Sequence, residues 1–199
     1  MVQIGILILA AGKSSRMRGD DKLTHKIDGV EQIKRIALSA CATGCVVAIT
    51  LPDAAHPRAS YLLDLDLQIV SVPEAHLGMG RSIAAGISLL ASKDLDGVMI
   101  VPADMPEITQ IDFGTVMKAF FKAPHLIVQA CTAKGQPGHP VIFPKSVFHN
   151  LQTLSGDRGA QAIIQANKHL QQLVKLPHLN ATTDLDTPEE WQEWLSEPK

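Results

Sequence analysis

Apolar residues along the chain fall into short, nearly continuous runs separated by stretches with helical spacing. The runs are VQIGILIL (2–9), CVVAITL (45–51), LQIVSV (67–72), GVMIV (97–101) and LIVQAC (126–131). Continuous rather than alternating hydrophobicity predicts strands covered on both faces. Between them, 31–42 places Ile33, Ile36, Ala37, Ala40 and Cys41 on one stripe, and 81–92 does the same with Ile83, Ile87 and Leu90. These spacings predict amphipathic helices, and a third is expected over 110–121, before Pro124. Strand–helix alternation predicts a mostly parallel, Rossmann-like α/β sheet flanked by helices, with ligands at the carboxyl ends of the strands. The Gly- and Pro-dense segment 133–144 breaks the alternation and reads as a long loop leading into a short strand. Near the end, Thr187 and Pro188 are set to cap and start a final helix.

Composition narrows the class. With 199 residues and 46% hydrophobic positions, one domain with a substantial core is expected. Lys plus Arg (18) nearly balances Asp plus Glu (20), which argues against a nucleic-acid surface. The apolar N-terminal run is short and enters a glycine turn, so it reads as a buried strand and not as a leader or membrane span. Cys41, Cys45 and Cys131 lack a zinc-site partner pattern and read as thiols in a reducing compartment. A cytoplasmic protein is expected.

The densest candidate chemistry follows the first strand: LAAGKSSRMRGDDK, from Leu9 to Lys22. A turn through Ala10, Ala11 and Gly12 lets backbone N–H groups approach an anion, while Lys13, Arg16, Arg18 and Lys22 supply cations. The spacing matches neither a Walker A loop nor GxGxxG. In VPADMP (101–106), Asp104 should stand at a strand's carboxyl end, where a carboxylate can hold Mg²⁺ together with phosphates and water. In DLDTPEE (184–190), alternation turns Asp184 and Asp186 the same way. HLGMGRSIAAGI (76–87) should begin a helix near Gly80 or Arg81, and SGDRGA (155–160) should open another with Asp157 as its N-cap.

Together these motifs resemble the sugar-nucleotide and cofactor nucleotidyltransferases, the MobA-like NTP transferase superfamily. Within it they are most similar to the MocA group, the molybdenum cofactor cytidylyltransferases. The resemblance runs from Ile4 to about Trp191. It implies a fold of the nucleotide-diphospho-sugar transferase type, with a nucleotide-binding half over about 1–105 and an acceptor-binding half over about 106–199. It also implies that Leu9, Ala10, Ala11, Gly12, Lys13 and Ser14 wrap the triphosphate, with Arg16 and Lys22 on its β and γ phosphates. Gly78, Met79 and Ser82 contact the nucleoside, Asp104 and Asp184 bind Mg²⁺, and Gly138, His139 and Arg158 face the acceptor. Asp186 either takes the metal role in place of Asp184 or caps or braces the final helix, and His139 either binds an acceptor phosphate or braces its loop. Ala11, where guanylyltransferases usually carry Gly, favours CTP over GTP.

The implied activity is transfer of CMP from CTP to molybdopterin with release of pyrophosphate; a molybdoenzyme or its maturation chaperone would be a further partner. Two rivals share these motifs: transfer to methylerythritol phosphate or a sugar phosphate, and a non-catalytic accessory protein for molybdoenzymes. The chain departs from its relatives over 23–35, where they carry G-x-P-L-L after the lysine and it reads DGVEQIKRI.

Overall fold

The computed structural model describes residues 2–196. Strand β1 (Ile4–Leu9) leads through the glycine-rich loop to a small ribbon, β2 (Lys26–Ile27) and β3 (Val30–Glu31), and then to helix α1 (Gln32–Cys41). There follow β4 (Val46–Leu51), β5 (Gln68–Ser71), α2 (Met79–Leu90), β6 (Gly97–Pro102) and α3 (Gln110–Lys122). The second half comprises β7 (Ile127–Cys131), β8 (Pro137–Pro144), α4 (Phe148–Gln152), α5 (Gln161–Ala166), β9 (Gln171–Lys175) and α6 (Pro188–Ser196). The main sheet has seven strands in the order β5-β4-β1-β6-β8-β7-β9. Pairing is parallel except along β8, which runs antiparallel to both β6 and β7. The expected mostly parallel α/β architecture is therefore what the chain adopts. None of the described helices is long and apolar enough to cross a membrane.

Alternation within β1 explains why helices cover both faces. Ile4, Ile6 and Ile8 enter one core with Ile33, Ile36 and Ala37 of α1 and Phe113, Val116 and Phe120 of α3. Leu7 enters the opposite core with Ile83, Ile87 and Leu90 of α2. Each fully buried Ile or Leu contributes roughly 1.5–3 kcal/mol, so β1 is anchored from both sides. Gly86 lets α2 approach closely, because a Cβ there would lie 2.3 Å from Leu7 Cδ1. A third, smaller core gathers Met17 of the loop, Ile27 of β2, and Leu185, Trp191 and Trp194 around α6. It ties the glycine-rich loop to the C-terminal segment.

The structure corrects several expectations. Residues 137–144 form a full eight-residue strand, not a short one. Its prolines at 137 and 140 lie outside the stretch paired with β6, which joins Ile100 to Val141 and Gly97 to Pro144, so they cost that ladder no donor. Strand β9 was not expected from QQLVK, because it is a half-exposed edge strand with little apolar signal. The β2–β3 hairpin turns on Asp28 and Gly29, with φ of 51° and 81°. An Asp-Gly pair is the sequence signal for such a turn. Residues 155–160 do not open a helix and Asp157 is not an N-cap. Gly156 and Gly159 take φ of 72° and 52°, which interrupts the run, and α5 starts only at Gln161 behind Ala160. The last helix starts where expected. Thr187 Oγ1 accepts from Glu190 N at 3.2 Å, and Glu190 Oε2 accepts from Thr187 N at 3.0 Å. That reciprocal pair is a capping box.

Candidate active site

From β1 the chain steps outward to β4 and β5, then crosses back to β6 on the other flank of β1. The carboxyl ends of β1 and β6 therefore border the point where strand order reverses, the usual place for a ligand crevice. A cleft of about 760 Å³ opens there. It is lined by the residues the sequence singles out from all parts of the chain: the loop after β1, Gly78, Met79 and Ser82, Asp104, Gly138 and His139, Asp184 and Asp186. Arg158 lies apart, in an adjoining pocket of about 330 Å³ that shares Leu9, Met79, Gly138 and His139 with the cleft.

The loop presents an unfilled set of donors. Backbone N–H groups of Ala11, Gly12, Lys13 and Ser14 find no acceptor among the described residues. Such a run of free amides can accommodate an anion. Gly12 contributes openness: a Cβ at that position would meet no atom of the chain within 4 Å. Ser82 sits in the first turn of α2, buried, and its hydroxyl makes no hydrogen bond among the described residues. The start of α2 is pressed onto the 155–157 turn, with Gly80 N donating to Gly156 O at 2.9 Å. Glycine at 78 permits this, since a Cβ would lie 2.3 Å from the Gly156 carbonyl carbon.

Opposite the loop stand three carboxylates. Lys22 Nζ donates to Asp104 Oδ2, and to Asp186 Oδ1 at 2.6 Å. Arg16 holds the other oxygen of Asp186 at 2.6 Å. The Asp186 side chain thus does not cap α6; its carboxylate faces the loop cations, its backbone N donates to Glu190 Oε2 at 2.7 Å, and the helix is capped by Thr187 and Glu190. Alternation about buried Leu185 places both aspartates on the cleft side. Burial favours the neutral amine of Lys22, but Asp104 and Asp186 outweigh it and raise its pKa. Among the described residues Asp184 has no ion pair of its own; burial, then the charges of Asp104 and Asp186, raise its pKa. Asp104 is fixed from behind: Ala103 N donates to Leu9 O at 3.0 Å, and Gln32 Nε2 to Ala103 O at 2.8 Å. The polar helix start that departs from relatives thereby braces the carboxylate turn.

The other oxygen of Asp104, Oδ1, is buried without a partner. Leaving a carboxylate oxygen so is costly unless a cation completes it. Among the described residues no group of three or more His, Cys, Asp and Glu could cage a metal. The donor set instead fits an ion held by one or two carboxylates, with phosphates and water filling its remaining positions.

The model of the MobA-like NTP transferase domain matches residues 6–173. The chain belongs to that family. MobA-like NTP transferases are nucleotidyltransferase-type domains, and among curated relatives the chain is similar to the purine catabolism protein PucB of Bacillus subtilis (strain 168). Identity is 25% over 198 residues, covering 94% of this chain and 93% of that protein. The fold matches Rv0371c of Mycobacterium tuberculosis H37Rv with a TM-score of 0.82 and 21% identity, covering 98% and 99% of the two chains. A manganese complex of Rv0371c matches at a TM-score of 0.71 and 21% identity, covering 99% and 100%. CMP:2-keto-3-deoxy-manno-octonic acid synthetase complexed with CTP also shares the fold of this MobA-like domain, at a TM-score of 0.72 and 15% identity, covering 98% and 97%.

Asp157 enters the motifs only as a cap, and the polar lining residues Ser15, His76, Gln136 and Thr182 escaped a site role there. So did Arg58, buried beneath the loop. Its surroundings in HPRAS carry no motif, and only burial distinguishes it.

His139 yields a pH prediction. Its Nδ1 is buried without a partner, and burial lowers its pKa despite the Ile100 carbonyl and the Asp104 charge. A folded state that resists protonation more than the unfolded chain is stable above the unfolded pKa. It loses that stability as pH falls below about 6.5 towards the lower folded value. His139→Gln is expected to flatten this decline by at most about 1.4 kcal/mol per pH unit, read from urea unfolding at pH 7.5 and 5.5. Parallel slopes for parent and variant would refute it.

Proposed function

We propose that this protein transfers CMP from CTP to the terminal phosphate of a molybdopterin-type acceptor, releasing pyrophosphate. The observation that carries the proposal is one cleft in which free amides of residues 11–14, the cations Arg16 and Lys22, and the unpartnered oxygen of Asp104 converge. The triphosphate would lie along the loop, with Leu9, Ala10 and the amides of Ala11 to Ser14 around it. Arg16 and Lys22 would exchange their carboxylate partners for the β and γ phosphates. The nucleoside would rest on Gly78, Met79 and Ser82. Residues up to about 105 form the nucleotide half, and those from about 106 form the acceptor half.

Asp104 and Asp184 would hold Mg²⁺, the former through its unpartnered oxygen and the latter because its neighbours' charges call for a cation. When bound, the ion neutralises charge on the phosphates and the departing pyrophosphate. That Rv0371c, which shares the fold, forms a manganese complex supports a divalent ion as the metal. Arg16 and Lys22 add charge stabilisation where it grows most, on the leaving group. An acceptor phosphate is already ionised at neutral pH, so attack on the α-phosphorus requires orientation and no general base. Gly138, His139 and Arg158 would orient it from the adjoining pocket. Ala11 and the CTP-bound synthetase of the same fold support CTP as donor.

Pyrophosphate release with molybdopterin across the four NTPs tests the proposal. Turnover with CTP alone is the expected result. Release only with methylerythritol phosphate or a sugar phosphate would replace the acceptor, and nucleotide binding without release would make the protein an accessory.

Gly12→Ala separates ligand from fold. The added methyl meets no protein atom. Stability should therefore be unchanged or raised by up to about 1 kcal/mol. Intrusion into the phosphate cradle should weaken CTP binding about tenfold by calorimetric titration. Undiminished affinity would place the triphosphate elsewhere.

A further inference from the structure

Arg58 is 2% exposed and follows β4 in a short 3-10 segment, Pro57–Leu62. A buried arginine must find partners for all five of its N–H donors. Here each one goes to the loop after β1. Nη1 donates to Ala10 O at 2.5 Å and Gly12 O at 2.9 Å. Nε donates to Asp21 Oδ2 at 2.6 Å, and Nη2 to Asp21 Oδ1 at 2.7 Å and Ser14 Oγ at 3.3 Å. The geometry is a bidentate pair at one end of the loop and two carbonyl clasps at the other.

Two consequences follow from peptide geometry. In a trans peptide the N–H points away from the C=O of the same unit. Drawing the carbonyls of Ala10 and Gly12 down onto Arg58 turns the N–H groups of Ala11 and Lys13 to the opposite side, and both stay free of protein acceptors. Asp21, held by Arg58, also accepts from Leu23 N at 3.1 Å and so starts the turn that carries Lys22. We propose that Arg58 is the positioning residue of the phosphate loop, aiming its free amides and, through Asp21, its Lys22 ammonium. This rests on the nucleotide reading of the cleft, but concerns a residue outside it.

The test compares Arg58→Lys and Asp21→Asn with the parent, using magnesium tripolyphosphate as probe and calorimetry well below the melting transition. Lysine keeps the charge but lacks the planar fork that reaches both carbonyls and the carboxylate at once. Arg58→Lys is expected to bind tripolyphosphate at least tenfold more weakly. Asp21→Asn should lose about threefold, and the double variant should be no worse than Arg58→Lys alone, since both act through one network. Limited trypsinolysis supplies a readout without ligand: cleavage at Lys13, Arg16 or Lys22 should quicken in both variants while circular dichroism stays native. A folded Arg58→Lys with parental affinity and parental cleavage overturns the proposal. If that variant does not fold, Asp21→Asn decides by the same two measurements. If the parent binds neither tripolyphosphate nor nucleotide, the functional reading fails, and the cleavage rates still decide the role of Arg58.

Discussion

Asp104→Asn is expected to lower turnover by about three orders of magnitude while the protein melts within about 4 °C of the parent. The catalytic loss follows from Oδ1, the buried oxygen with no protein partner. An amide there presents a weaker, uncharged ligand to a cation. Removing a metal's charge stabilisation at a transferring phosphate is worth several kcal/mol, at 1.36 kcal/mol per decade of rate. The modest effect on folding follows from the other oxygen. Lys22 loses one partner but keeps Asp186, and Asp184 loses a repulsive neighbour. A net change near 1 kcal/mol moves the midpoint by roughly 2–4 °C in a chain of this size. Pyrophosphate release and a thermal melt on the same preparation check both halves. A folded variant with parental turnover would remove Asp104 from the mechanism.

Gly138→Ala should do the reverse and damage the fold first. A Cβ on Gly138 would sit 1.8 Å from the Ala181 carbonyl oxygen, a backbone atom of a fully buried residue. The next residue is locked to the same carbonyl, with His139 N donating to Ala181 O at 2.8 Å. Neither side can yield without moving β8 or the segment that carries Asp184. A loss of about 3 kcal/mol is expected, lowering the melting midpoint by roughly 10 °C. Turnover should fall as well, measured where both proteins are folded, because the shifted segment displaces Asp184 from Asp104. An unchanged melt would show that the 138 and 181 backbones are not in contact. Gly12→Ala is the natural control: the same substitution, in open space.

Much of the fold was legible because its strands are covered on both faces. Runs such as GILIL and GVMIV have no polar alternation to blur them, and the helices between carry a clean apolar stripe. Elements with one wet face or very short pairing were not legible. β9 at the sheet edge and the two-residue strands of the ribbon leave almost no hydrophobic signature. Asp157 was misplaced because cap propensity is local, whereas Gly156 and Gly159 in left-handed conformations decide where the helix can begin.

Composition and order along the chain determined the α/β class, the loop after the first strand as a candidate phosphate cradle, and the carboxylates at 104, 184 and 186 as candidates for a cation. These are local properties: residue types, spacing, and alternation along an extended segment. Only the tertiary structure decided which carboxylate meets which cation. Lys22 and Asp104 are 82 residues apart, and Lys22 and Asp186 164 apart, so their pairing depends on β1 and β6 lying side by side and α6 folding back over the loop. Arg58 shows the same limit most plainly. A buried cation with five donors is specified by what surrounds it in space, and no stretch of neighbouring sequence records that.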